Sequence, residues 1–127
     1  MKAIFIEGEN LTFVYDVEAK DNLLQVLRLS EPMTKAEQVK VLSTYAGILR
    51  YCHKNKVLMR QVSPSHFVLD NSGHPTLYDL SNAVFMDEIR QEMPKLYTGF
   101  VAPEILSNDQ VSSKADMYTF GVLMHLV

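Results

Sequence analysis

The polar residues best able to do chemistry lie close together in the middle of the chain. Arg60, Gln61, Ser63 and His66 share one short segment, and Asp79 follows soon after it. Ser63 and His66 could pair as nucleophile and base, but no acid at a fixed spacing orients the histidine, so we interpret the pair as loop chemistry. The carboxylate of Asp79 could bind a hard cation.

The other histidines and the single cysteine show no ligand pattern. His53, His74 and His125 have no metal-ligand spacing with each other or with Cys52, and no His-Glu-x-x-His motif occurs. We expect these histidines to be solvated or locally bonded. One cysteine cannot form an internal disulfide, which fits a reducing compartment.

Composition bounds the class of protein. The chain has 127 residues, 47% of them hydrophobic, and a formal net charge of −3. That size suits one domain, and the absence of a basic cluster argues against nucleic acid as a partner. The sequence contains neither a signal-peptide pattern nor an apolar run long enough to span a bilayer, so it predicts a cytoplasmic protein.

The first half of the chain predicts a hairpin followed by two helices. Two β-rich runs, 3–6 and 11–15, flank turn residues, and Asp21 could cap a short helix reaching residue 29. Thr34 and Glu37 form a capping box for a longer helix that should end near Asn55. The apolar positions expected on one face of this helix are Val39, Leu42, Tyr45, Ala46, Leu49 and Cys52.

The second half predicts fewer regular elements. Short strands at 67–69 and 76–78 flank a turn at 70–73, and residues 79–97 read as a long irregular segment. A short helix is expected at 102–106 and an apolar one at 116–127. The fold class is therefore α+β, mostly helical.

Four motifs then follow in one order. Met-Arg-Gln-Val-Ser-Pro-Ser-His stands at 59–66, Asp-Leu-Ser at 79–81, Ala-Pro-Glu at 102–104 and Asp-Met-Tyr-Thr-Phe-Gly at 116–121. This order resembles the protein kinase superfamily, with its catalytic loop, Asp-Phe-Gly, Ala-Pro-Glu and central helix. The Pro64 pattern is closest to the serine/threonine or kinase-like branches, and the resemblance covers nearly the whole chain.

The resemblance implies a partial kinase domain over residues 1–127. Residues 1–20 would be a remnant of the N-lobe strands and hinge, including the short hairpin from the lobe junction. Residues 21–127 would be part of the C-lobe, truncated within the central buried helix. We expect that helix to expose an apolar face for a protein partner or for self-association. The side chains expected on it are Phe120, Val122, Leu123, Leu126 and Val127.

The departures from the family fall on its reactive positions. Gln61 stands where the resemblance places the catalytic aspartate, and an amide cannot accept the substrate proton. Ser63 replaces the catalytic-loop lysine, and His66 replaces a magnesium-binding asparagine. The resemblance therefore implies a catalytically inactive, pseudokinase-like chain.

The sequence allows two interpretations of cofactor binding. The sequence favours no cofactor, with Asp79 as a turn carboxylate. The alternative is Mg-ATP, with Asp79 on the metal and an adenine surface formed by Tyr15, Val17 and Val68, which would otherwise be core or edge residues.

The remaining motif residues have structural roles in the resemblance. Asp116 would anchor the catalytic-loop backbone, and Glu104 would lack its usual arginine partner. Arg60 could meet a phosphorylated Tyr97 or Thr98, although we favour a structural hydrogen bond. The full framework set is Arg60, Pro64, Ala102, Pro103, Glu104, Asp116 and Gly121.

Three functional hypotheses follow. The first is an inactive kinase-like module that binds proteins in signalling. The second is part of an ATP-binding kinase with unconventional phosphotransfer, the missing lobe being supplied elsewhere. The third is an unrelated α+β domain, which fails if the long capped helix packs beside the Asp116 helix with residues 59–70 between them.

Overall fold

Two strands near the N-terminus pair as the predicted hairpin. In the computed structural model, β1 (Ala3–Glu7) and β2 (Asn10–Val14) run antiparallel, with Glu7 opposite Asn10. Tyr15 and Val17 lie outside the described part of the chain. The structure describes residues 3–7, 10–14, 21–29, 31–88, 99–107 and 111–127.

A short strand precedes the first helix and changes its expected cap. β3 (Asp21–Asn22) leads directly into α1 (Leu23–Leu27). The predicted cap, Asp21, is wrong, because Asp21 pairs with Leu69 in the sheet and Asn22 caps the helix instead. The side-chain oxygen of Asn22 accepts from the backbone N–H of Gln25 at 2.9 Å, and the Gln25 side chain accepts from the Asn22 N–H at 2.9 Å.

The long helix α2 (Lys35–Lys54) begins and ends as predicted. The Thr34 hydroxyl accepts from the Glu37 N–H at 3.3 Å, while the Glu37 carboxylate accepts from the Thr34 N–H at 2.8 Å. Its predicted apolar face is partly wrong. Val41 is fully buried, whereas Val39 is 65% exposed, because the neighbouring elements cover the side of the helix that carries Val41.

The remaining strands form small sheets around the middle segment. These strands are β4 (Val57–Leu58), β5 (Phe67–Leu69), β6 (Pro75–Leu77) and β7 (Val84–Phe85). β3, β5 and β6 pair in that order, and β4 pairs with β7. The prediction of an irregular segment from residue 79 is therefore wrong at β7. This strand forms by pairing with β4, and its two residues are too few to predict a strand from sequence.

The last two helices close the described structure. α3 (Pro103–Leu106) matches the predicted short helix, and α4 (Ser113–Leu126) begins three residues before the predicted start at Asp116. The earlier start follows from Ser112, whose hydroxyl accepts from the Lys114 N–H at 3.3 Å.

One hydrophobic core joins α1, α2, β5 and α4. Its buried members include Leu23, Tyr45, Leu49, Met59, Phe67 and Leu123. α2 packs against α4, and the loop that contains Met59 contributes to the same core. The hypothesis of an unrelated domain is therefore rejected. The fold is mixed α and β, with small sheets and with more described residues in helices than in strands.

The exposed side of α4 differs from the one predicted. Leu123 is completely buried, and Phe120 and Val127 pack against the core, so these three were wrongly expected on an open face. The ring of Phe120 lies 5.6 Å from that of Tyr45 in α2, and Leu123 belongs to the same buried cluster as Tyr45. The large apolar side chains that α4 does expose are Met117, Tyr118, Met124 and Leu126. Among the described residues, no helix combines the length and apolar character needed to cross a membrane.

Candidate functional site

Asp116, at the N-terminal end of α4, holds the loop that contains the candidate residues. Its side chain is 1% exposed, and it accepts backbone N–H bonds from Met59 at 3.0 Å and Arg60 at 2.8 Å. Nε2 of His53 lies 2.6 Å from Oδ2 of the same carboxylate. The expectation that His53 is solvated or locally bonded is wrong, because folding brings the end of α2 against α4.

Arg60 turns this loop through an unusual backbone conformation. Its φ of +60° lies in the left-handed region, and the residue is 4% exposed. The Nε–H of Arg60 donates to the carbonyl of Asn82 at 2.6 Å. Burial lowers the pKa of the guanidinium. Tyr97 and Thr98, the alternative phosphorylated partners, lie outside the described residues.

Gln61 follows Arg60 and is 2% exposed. Its side-chain carbonyl accepts from the amide of Asn82 at 3.5 Å. Asn82 thus contacts both Arg60 and Gln61, a role that sequence reasoning missed. The only available signal was its position just after the Asp79 motif.

Ser63 and His66 are close, but they are not arranged as nucleophile and base. The Ser63 hydroxyl pairs with the Ser65 hydroxyl at 2.5 Å. The backbone N–H of Ser63 donates to Nδ1 of His66 at 3.4 Å. Pro64 and His66 belong to a buried 3-10 turn (Pro64–His66) that leads into β5. Burial lowers the pKa of His66, and the nearby Asp79 opposes that shift.

The Asp79 side chain lies beside His66 of the loop. Oδ2 of Asp79 lies 3.8 Å from Nε2 of His66, and Oδ1 accepts from the Ser81 N–H at 2.9 Å. Burial raises the pKa of Asp79, but the bonds from Ser81 and the charge of His66 outweigh it, so the pKa lies below its ordinary value. Sequence reasoning selected both residues, and the fold brings them together.

This arrangement does not suit the magnesium that the family resemblance implies. Mg²⁺ prefers nearly octahedral coordination by oxygen, whereas the Asp79 carboxylate here lies opposite the imidazole of His66. In the described part of the chain, no group of three or more His, Cys, Asp or Glu side chains could hold a metal ion.

The predicted adenine surface is only partly described. Val68 lies half-buried in β5, opposite Asn22 and Thr76 on the neighbouring strands. Tyr15 and Val17 are outside the described residues, so this surface stays a prediction.

The later motif residues form a second, smaller cluster. Ala102 and Ala115 are buried with Val101 and Ile105, and Pro103 opens α3. The Thr119 hydroxyl of α4 donates to the Phe100 carbonyl at 2.7 Å, which ties α4 to the segment before α3. Glu104 is half-buried. Gly121 is exposed, and a Cβ there would meet no atom within 4 Å, so packing in the described structure does not require glycine.

Comparison with known proteins gives one consistent result. The family described as "Protein kinase domain" matches residues 1–127. An Arabidopsis thaliana "Protein kinase and PP2C-like domain-containing protein" is 29% identical over 91% of the chain and 20% of its own length. Mouse "Ribosomal protein S6 kinase alpha-2" is 27% identical over 98% of the chain and 18% of its own length.

A third relative has the same pattern. Drosophila melanogaster "G protein-coupled receptor kinase 2" is 27% identical over 91% of the chain and 18% of its own length. The chain therefore spans about a fifth of the length of the curated relatives it matches.

Proposed function

This chain belongs to the protein kinase domain family, and from that premise we propose that it is a kinase-like module that does not transfer phosphate and acts by binding protein in signalling. In this proposal, residues 21–127 correspond to part of the C-lobe. Residues 1–20 correspond to the last N-lobe strands and the hinge.

The observation that carries the proposal is the side chain of Gln61. It occupies the motif position where the family has its catalytic aspartate, in a loop fixed to Asp116. An amide oxygen is too weakly basic to accept the substrate proton during attack. The side chain is 2% exposed and its oxygen accepts from Asn82, so it is held among protein atoms.

The neighbouring positions support the same conclusion. Ser63 supplies no positive charge where the family lysine would neutralise the transferred phosphoryl group, and its hydroxyl is bonded to Ser65. His66 presents an imidazole where the family has a metal-binding amide. Loss of a general base alone reduces the rate by about 10²- to 10⁴-fold, so these combined changes leave little phosphotransfer.

The binding role is supported by the parts that remain intact. Asp116 still fixes the loop backbone, and Thr119 still joins α4 to the segment before α3. These interactions maintain a fold without contributing chemistry. Retention of the framework with loss of reactive groups is what a protein-binding module requires.

The sequence predicts a partner surface on α4 but assigns it mainly to other residues, among them the buried Leu123. We place it on the outer face of α4, where Met117 is 54% exposed and Met124 is 53% exposed. Flexible, polarisable methionine side chains suit an apolar protein partner. Sedimentation at two protein concentrations would reveal self-association as a concentration-dependent mass.

The alternative function is phosphotransfer by an unconventional route. Asp79 favours it, because this carboxylate stands at the metal-binding motif position and faces the loop. A γ-phosphate transfer assay on the purified protein, with Asp79→Asn prepared in parallel, separates the two functions.

We expect wild type and Asp79→Asn to give the same background signal in that assay. Phosphate transfer by the wild-type protein that disappears in Asp79→Asn would reject the proposal. A signal of equal size in both proteins would show that Asp79 does not contribute to it.

A further inference from the structure

We propose that His66 closes the metal-binding position beside Asp79 with its own N–H group, so that this site does not take up a divalent cation. The proposal rests on the proposed function, because an active kinase would need a metal at Asp79. It adds the physical reason for the loss of metal, and it names a single residue that controls it.

The polarity of the His66 imidazole disfavours a metal ion beside Asp79. The backbone N–H of Ser63 points at Nδ1 of His66 at 3.4 Å, so Nδ1 serves as the acceptor and carries no proton. In a neutral imidazole the proton must then be on Nε2. The ring therefore presents an N–H group, and not a lone pair, toward Asp79.

The separation of the two side chains also leaves no open position for a cation. Nε2 of His66 and Oδ2 of Asp79 are 3.8 Å apart. A cation bound to both would lie about 2.0–2.2 Å from each and would need a free lone pair on Nε2. The N–H occupies that position and is attracted to the same carboxylate oxygen.

Reversing the polarity of the His66 ring would be unfavourable. Moving the proton to Nδ1 would free Nε2 for a metal. It would also place an N–H of His66 against the N–H of Ser63, inside a turn where His66 is 8% exposed. Metal-binding histidines instead direct their second N–H at an acceptor. The other Asp79 oxygen already accepts from Ser81.

Replacing the ring should restore the site. In His66→Asn, the amide can turn its oxygen toward a cation held by Asp79, and amide and carboxylate oxygens are ligands that Mg²⁺ and Mn²⁺ accept. Mn²⁺ can be followed directly, because the electron paramagnetic resonance signal of the free ion falls when it binds.

The experiment compares four proteins during titration with MnCl₂ alone: wild type, Asp79→Asn, His66→Asn and the double variant His66→Asn/Asp79→Asn. We expect no Asp79-dependent Mn²⁺ binding in wild type. His66→Asn should bind Mn²⁺ at least about tenfold more tightly than wild type does, and the double variant should lose that gain. Wild-type binding that Asp79→Asn abolishes would overturn the proposal, as would a folded His66→Asn that gains nothing.

A second measurement needs no folded variant. The ¹⁵N shifts of the imidazole in labelled wild-type protein report which nitrogen carries the proton. We expect an unprotonated Nδ1 and a protonated Nε2 for His66, unchanged by Zn²⁺ or Mg²⁺. A protonated Nδ1, or a metal-induced shift at Nε2, would overturn the proposal.

The two proposals fail in different assays. Phosphate transfer without metal binding at Asp79 would reject only the proposed function. Metal binding by wild type without phosphate transfer would reject only the role of His66.

Discussion

At the residue scale, the most consequential side chain is Asp116. One carboxylate receives two backbone N–H groups of the loop and contacts His53 at the end of α2. Asp116 is 1% exposed, so if its carboxylate were removed, no water would be present to accept hydrogen bonds from these donors. This one side chain therefore holds the backbone of Met59 and Arg60, next to Gln61.

Replacing Asp116 with Asn should destabilise the protein by about 2–3 kcal/mol, because an amide group would face at least one backbone N–H and leave it without an acceptor. Urea unfolding measures the change. Asp87→Asn, an exposed carboxylate in the 3-10 turn Met86–Glu88, is the matched control and should change stability by less than about 0.5 kcal/mol. Equal effects of the two substitutions would contradict the anchoring role.

A second residue-scale prediction concerns Tyr45. Its ring is fully buried against Phe67 and Phe120, and its hydroxyl has no hydrogen-bond partner in the described structure. Burial, followed by the nearby Asp116 charge, raises the pKa of this phenol. The hydroxyl thus bears a desolvation cost without compensation.

Tyr45→Phe keeps the ring contacts and removes that cost, so we expect the protein to become more stable by about 1 kcal/mol. Tyr51→Phe, at a position 71% exposed, should leave the melting temperature unchanged. A clear loss of stability in Tyr45→Phe would show that the hydroxyl is bonded, for example to an internal water.

At the element scale, the capping and turn side chains explain where the helices and the β5–β6 hairpin begin and end. Thr34 and Asn22 each cap a helix by reciprocal bonds with the residue three positions later. Asp70 does the same for the hairpin of β5 and β6, where Oδ1 accepts from the Ser72 hydroxyl at 2.7 Å and the His74 N–H at 2.7 Å. Gly73 then adopts a φ of +71°, which glycine tolerates without strain.

The Asp70 turn predicts a pH dependence. The Ser72 hydroxyl and then the His74 N–H hold the pKa of Asp70 below its ordinary value. The stabilisation is therefore present above the unfolded pKa of about 3.9 and is lost as the pH falls through that value toward the lower folded pKa. Asp70→Asn keeps an acceptor but cannot titrate.

Thermal melts of wild type and Asp70→Asn should differ most between about pH 5 and pH 7 and should converge as the pH falls toward about 2. A difference that stays constant over this range would contradict the role of the charge. Asp87→Asn again provides the exposed carboxylate control.

At the scale of the whole molecule, the core decides which helix faces are inside. Leu123 of α4 is completely buried in the cluster that includes Tyr45, Leu49 and Phe67. α4 also carries Asp116, so packing of this helix and anchoring of the loop depend on each other.

Leu123→Ala should therefore destabilise the protein by about 2–5 kcal/mol, through lost burial and the cavity left behind. Met124→Ala removes a side chain that is 53% exposed on the same helix and should cost less than about 1 kcal/mol. Chemical denaturation of both variants, side by side, measures the contrast. A small effect at Leu123 would mean that α4 is not integrated into the core.

The sequence by itself determined the features that depend on neighbouring residues. The Thr34–Glu37 cap, the turn at 70–73, the first hairpin and the order of the four motifs could all be predicted, because each depends on side chains within a few positions. The family followed from the same local patterns and is shown by the match over residues 1–127.

Only the tertiary structure decided the features that join distant segments. The choice of Val41 over Val39, the burial of Leu123 and the pairing of β7 with β4 all depend on which elements meet. The bond from His53 to Asp116 and the direction of the His66 ring are likewise set by packing. Residue spacing does not encode these contacts, because each one forms only after the chain has brought separate elements together.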